Sequence, residues 1–229
     1  MSAEAAGRSL RVCIVGDSIV SGTGDDAALG WTGRVAAAAL GGGADLTLYS
    51  LGVRGDTSRE VAARWRAEVG ARLPATFPRA LVFAYGLNDC AVRTWDDGRQ
   101  ERRVPQAETE GITRTLLRDA GAVGPVGFVG PAPVDDERDG PQLVPGVRQR
   151  VSNDEVEAMD RRLAAIASEL DVPYLAVFST LRHEARWQAA LRAGDGVHPT
   201  AIGYAALAEL VGEWSFWTAL RSITTGGQG

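Results

Sequence analysis

Ser18 follows Gly16 and Asp17 at the end of a short apolar run, and His198 lies in Asp195-Gly196-Val197-His198-Pro199 near the other end of the chain. A serine hydroxyl is a weak nucleophile and acts only beside a base. Imidazole, which titrates near neutrality, suits that task. Asp195, three residues before His198, can reach back to the ring, fix its tautomer and stabilise the imidazolium. Such a trio attacks an acyl carbon, and the charge that grows on the acyl oxygen needs donors aimed at it. Three donors are candidates: the Ser18 N–H, the Gly52 N–H, and the side-chain amide of Asn88 in Gly86-Leu87-Asn88-Asp89. Glycine at 52 would let the backbone approach a substrate with no Cβ in the way.

Each motif has a plainer reading. Gly-Asp-Ser and Gly-x-Asn-Asp are ordinary turn compositions. Asp195 and Pro199 could serve only as cap and first-turn residues of the helix that follows. Their joint occurrence, each after an expected strand, favours chemistry. Of the two histidines, His183 sits in a helical stretch with charged neighbours and reads as a surface residue, leaving His198 as the base. Asp17 adjoins Ser18, but neighbours in a tight turn point apart, so it is expected to hold backbone amides. Asp56 and Asp89 are expected to brace the loops, and Arg54 to pair with Asp56 or Glu60 rather than meet an anionic substrate.

The elements that must place these residues alternate strand and helix, the pattern of parallel βαβ units. Strands are expected over 11–15, 45–51, 80–85, 126–129 and 173–178. Helices are expected over 31–40, 57–69 (with Thr57 or Ser58 as N-cap), 106–120, 152–170 and, as one long apolar helix, 199–220. Ser152 followed by Glu155 suggests a capping box. Trp214 and Trp217 share a helical face and read as core, with Phe216 beside them. The sum is an α/β fold, a single-domain three-layer sandwich over 1–229 with a five-stranded parallel flavodoxin-like sheet of order 2-1-3-4-5. The Pro/Gly-rich segment 131–151 is too long for an ordinary connection and is expected to be a lid or substrate-side wall.

The four blocks together resemble the SGNH (GDSL-like) hydrolases, which contribute a serine, a glycine, an asparagine and a histidine in this order. Here these are Ser18, Gly52, Asn88 and His198, with blocks spanning Gly16 to Pro199. The first block is GDSI rather than GDSL, and Ser50 stands where many members have asparagine. The resemblance implies a carboxylic ester hydrolase working through an acyl-serine. Its relatives include lipases, thioesterases, lysophospholipases and carbohydrate acetylesterases. No large lipid-binding module is evident, which favours a small or short-acyl ester. Two further readings stay open: acyl transfer to an alcohol or amine by the same residues, and a silent domain binding carbohydrate or protein.

Composition narrows the partners. The 229 residues are 45% hydrophobic and 23% charged, ordinary for a globular chain. The net charge of −5 argues against a nucleic-acid surface, and acidic Asp96, Asp97 and Glu101 dilute the arginines at 99, 102 and 103. All 24 basic residues are arginine. Cys13 and Cys90 read as reduced thiols, with no disulfide framework or zinc site. No Gly-x-Gly-x-x-Gly fingerprint suggests a dinucleotide, and no cofactor or metal is expected. No leader or membrane span is legible, so a cytoplasmic location is expected.

Overall fold

Leu10–Gly16 (β1) is buried along almost its whole length, as a strand covered on both faces must be. The computed structural model describes residues 9–138 and 145–225; the N-terminal residues 1–8, on which the absence of a leader was read, lie outside them. After β1 come Ser18–Ser21 (α1), Gly30–Gly41 (α2), Leu46–Gly52 (β2), Ser58–Arg72 (α3), Arg79–Ala84 (β3) and Leu87–Cys90 (α4). Val92–Trp95 (β4), Gln100–Arg102 (β5), Gln106–Gly121 (α5) and Val126–Val129 (β6) follow. The remainder is Val147–Arg150 (β7), Asn153–Glu169 (α6), Tyr174–Leu175 (β8), Phe178–His183 (α7), Ala185–Ala193 (α8), Ala201–Glu213 (α9) and Ser215–Thr225 (α10).

Five strands form one parallel sheet in the order β2-β1-β3-β6-β8, which is the expected order with β6 and β8 as its fourth and fifth strands. β1 and β2 run in step from Leu10 opposite Leu46 to Gly16 opposite Gly52. β1 and β3 end together at Gly16 and Ala84. This common register brings the loops after β1, β2 and β3 to one edge, where open parallel sheets bind ligands. The helix start at Thr57 is a complete capping box: Thr57 accepts from the Arg59 N–H, and Glu60 accepts the Thr57 N–H at 2.7 Å.

Several expectations are corrected. The fifth strand shrinks to Tyr174–Leu175, and Phe178 opens α7 instead. Ser152 makes no side-chain cap; the Glu155 side chain pairs with Arg102 (2.6 Å), and Asp136 accepts the Asn153 N–H at 3.0 Å. The C-terminal helix is two, broken at Trp214, whose backbone turns extended (ψ 128°). Trp214 and Phe216 lie against the missing side chain of Gly127 in β6, so the break seats both rings on the sheet. Trp214 and Trp217 are core residues as expected.

A second, antiparallel sheet of order β5-β4-β7 was not foreseen. Its strand β7 falls within 131–151, so the end of that segment is paired structure rather than loop. The start is also pinned: Asn153 bonds both the N–H and the carbonyl of Val134 (3.0 and 2.8 Å), and the Asp135 N–H donates to Gly196 O at 2.8 Å. Residues 139–144 lie outside the described ones, so the lid expectation for the middle of the segment falls there.

Candidate active site

The turn after β1 places Ser18 first in the four-residue α1, with Asp17 as its cap: the Asp17 carboxylate accepts the Ile19 N–H at 2.9 Å. The carboxylate thus faces the turn's own amides, as its position beside Ser18 suggested. The Ser18 hydroxyl meets His198 Nε2 at 2.8 Å, and His198 Nδ1 meets Asp195 at 2.7 Å. The other Asp195 oxygen accepts the Val197 and His198 N–H groups at 2.9 and 2.7 Å, closing the loop that carries both residues. Partial burial pushes the Asp195 carboxyl up. The hydrogen bonds from the His198 ring and from the two backbone N–H groups outweigh it and hold the group well below the usual carboxylate range. Ser18 and His198 are both buried. A neutral imidazole oriented in this way can take a hydroxyl proton and pass it on.

The space a Cβ on Gly52 would need is filled by α1. It would sit 2.6 Å from Asp17 O and 2.7 Å from the Val20 carbonyl carbon, and closer still to Ser21 N. Glycine at 52 therefore lets β2 close on the turn that carries Ser18, where a close approach to substrate was expected. In the parallel ladder Val53 donates to Gly16 O, and alternation leaves the Gly52 N–H pointing away from β1. Asn88 donates to Asp56 O at 2.9 Å and, weakly, to Asp17 at 3.5 Å. Its Oδ1 accepts from Arg103 at 3.2 Å.

The loops are braced from below. Asp89 accepts from the Ser58 N–H (3.0 Å), the Ser58 hydroxyl (2.5 Å) and the Thr109 hydroxyl (2.8 Å). Burial raises its carboxyl despite these donors. Asp56 binds Arg64 at 2.6 Å, and Arg64 also reaches Gly16 O at 2.7 Å. With Asp56 taken by Arg64 and Glu60 by Thr57, the expected pairing of Arg54 does not form, and Arg54 is exposed. Ser50, the departure in the second block, donates to Val20 O at 3.0 Å and holds α1 from beneath. His183 is exposed, apart from the site.

Sequence reading missed Ser50, Arg64 and Arg103 as supports. Arginine reaches carbonyls across the fold at no fixed spacing, so only the Ser50 departure from its block was a usable signal. Both cysteines are free buried thiols. Among the described residues no group of His, Cys, Asp and Glu could hold a metal ion, and no helix is long and apolar enough to cross a membrane.

The Ser18–His198–Asp195 hydrogen-bonded chain lies beside the C-terminal end of β1 in a parallel α/β sheet. The chain belongs to the GDSL-like Lipase/Acylhydrolase family, whose sequence profile matches residues 14–206, and it is a carboxylic ester hydrolase. Among solved structures it is similar to a lipase/acylhydrolase from Enterococcus faecalis (20% identity, 88% of this chain and 93% of that one, TM-score 0.68). It is also similar to an acetylxylan esterase from Geobacillus stearothermophilus, solved as a catalytic mutant (18%, 90% and 94%, TM-score 0.66). A third is TesA (23%, 92% and 99%, TM-score 0.67). At these identities the likeness is one of fold. No curated protein matches the chain in sequence.

Asp17 gives a pH signature. Burial, opposed by the Ile19 N–H and by His198 and reinforced by the Asp89 and Asp56 charges, pushes its carboxyl up to about 7. A proton held more tightly in the folded chain adds stability below the unfolded value of about 3.9. That stability is lost as the pH rises through about 7. Asp17→Asn keeps a capping oxygen and removes the charge. The variant should gain stability over wild type at pH 8 and lose that advantage at pH 4, read as urea midpoints. An equal offset at both pH values would refute the assignment.

Proposed function

We propose that Ser18 is the nucleophile of an ester hydrolase in which His198 is the base and Asp195 its orienting acid. The Ser18 oxygen attacks the ester carbonyl as His198 Nε2 takes the hydroxyl proton. The imidazolium, stabilised by Asp195, then gives that proton to the leaving alcohol as the tetrahedral intermediate collapses to an acyl-serine. Water, deprotonated by the same nitrogen, attacks the acyl-serine; the acid leaves and Ser18 regains its proton. The Ser18 N–H and the Asn88 amide are the donors for the oxyanion in both halves; the Gly52 N–H, expected as a third, faces away from β1 and from the Ser18 turn that follows it. The observation that carries this reading is the continuous chain Ser18–His198–Asp195, with contacts of 2.8 and 2.7 Å.

A small or short acyl group is the preferred substrate. This preference rests on the sequence, in which no large lipid-binding module is evident. The test is a p-nitrophenyl ester series from acetate to palmitate, run beside labelling with a fluorophosphonate probe. We expect turnover to be highest at the short end and the label to sit on the peptide that contains Ser18. A preference for palmitate would refute the short-acyl reading, and a label on any other residue would refute the nucleophile.

A further inference from the structure

Arg103 lies just after β5, in the second sheet, outside each of the four blocks and 15 residues after Asn88. Its main chain is fixed on both sides: its N–H donates to Ala91 O at 2.9 Å, and its carbonyl accepts from Arg59 at 3.2 Å. Its guanidinium is half-buried and spans two of the site's loops. One nitrogen donates to Asn88 Oδ1 at 3.2 Å, in the turn after β3; the other donates to Gly55 O at 2.6 Å, in the loop after β2. Asn88 in turn donates to Asp56 O, next to Gly55, so the four groups close a ring. Burial lowers the affinity of Arg103 for its proton, and Arg93 lowers it further, yet the Glu60, Asp89 and Asp56 charges oppose them. A guanidinium stays charged under such conditions.

We propose that Arg103 is a positioning residue for the oxyanion donors, acting through Asn88. A carboxamide can sit in two orientations that differ only by exchange of oxygen and nitrogen. A guanidinium has donors and no acceptor, so it admits only the amide oxygen on its side. The Asn88 nitrogen must then face Asp56 O and the Ser18 turn. One of its hydrogens is taken by Asp56 O at 2.9 Å; the other has only the long 3.5 Å contact to Asp17 and is free for a developing oxyanion. The positive charge on the amide oxygen also polarises the group and strengthens the N–H as a donor. The bond to Gly55 sets the spacing between the loop that carries Gly52 and the turn that carries Asn88.

This assignment rests on the proposed role of Asn88, and a double-mutant cycle separates the two. Losing a whole oxyanion donor costs on the order of 10²–10³ in turnover. Arg103→Met, which leaves the donor present but unheld, should lose about tenfold to a hundredfold in kcat with KM nearly unchanged. In an Asn88→Ala background the same substitution should cost little more. The rate of fluorophosphonate labelling of Ser18 should fall in parallel, since that reaction also builds charge on an oxygen in the site. Arg103→Lys keeps the charge and one direct donor and should recover part of the loss; it carries the test if the methionine variant does not fold. A packing role alone would lower the melting midpoint and cost the same factor in both backgrounds, and that result would overturn the proposal. So would wild-type rates in Arg103→Met alongside a slowed Asn88→Ala. If Asn88→Ala were itself unaffected while Ser18→Ala was dead, the Asn88 role and this proposal would fall together and the nucleophile would stand.

Discussion

Ser18→Ala is expected to lose ester turnover by a factor on the order of 10⁶, the size of loss seen when a serine hydrolase is stripped of its nucleophile. The reason is geometric. Among the described residues Ser18 is the one hydroxyl hydrogen-bonded to His198 Nε2, and α1 holds it there through the Asp17 cap and the Ser50 bond to Val20. Alanine fits the same turn, so the fold should be unchanged and the denaturant midpoint should move little. What remains is whatever the oxyanion donors and the bound geometry give to attack by water, a residue of order 10³–10⁴ over the uncatalysed rate. Steady-state hydrolysis of p-nitrophenyl acetate measures the loss, and circular dichroism checks the fold. Equal activity in both proteins would remove Ser18 from the reaction.

Gly52→Ala is expected to produce the second largest effect, and on stability as well as rate. The new methyl would press on Ser21 N, Asp17 O and the Val20 carbonyl carbon, all backbone atoms of the turn that carries Ser18. No side-chain rotation relieves that contact, so either β2 or α1 must move. Overpacking of this kind costs about 1–3 kcal/mol. A displacement of about 1 Å at reacting atoms can cost roughly 10² in rate. We therefore expect a lower urea midpoint together with a fall of at least about 10² in kcat/KM. The effect should be larger than that of Ser50→Ala, which removes a support without intruding. Activity within twofold of wild type would show that the close approach of β2 to α1 is not needed for chemistry.

The parallel sheet was legible because its strands are apolar runs bounded by glycine. Leu10–Gly16, Leu46–Gly52 and Val126–Val129 lie within a residue or two of where periodicity put them. The blocks that hold Ser18, Gly52, Asn88 and His198 could be found because each follows a strand or opens a helix. The β4-β5-β7 sheet was not legible: Gln100–Arg102 and Val147–Arg150 are polar strands with no buried face to mark them. One signal was present. Asp97-Gly98 falls between Thr94-Trp95 and the next strand, and Gly98 takes positive φ (84°) in the hairpin turn. The break at Trp214 was hidden for another reason. Nothing in the local pattern records that Gly127, some ninety residues earlier, leaves room for two rings. Arg54 was misread because a nearby carboxylate in sequence was already taken by Arg64 in space.

The Ser18–His198 bond joins residues 180 positions apart. Ser18, Gly52, Asn88 and Arg103 all lie in the first half of the chain, whereas Asp195 and His198 arrive only with the loop that leads into α9. A chain emerging from a ribosome therefore presents Ser18 and the loops after β2 and β3 long before Asp195 and His198 exist, so the hydrogen-bonded trio proposed for catalysis forms only once the loop before α9 is made. Formation of the proposed site is thereby tied to completion of the fold.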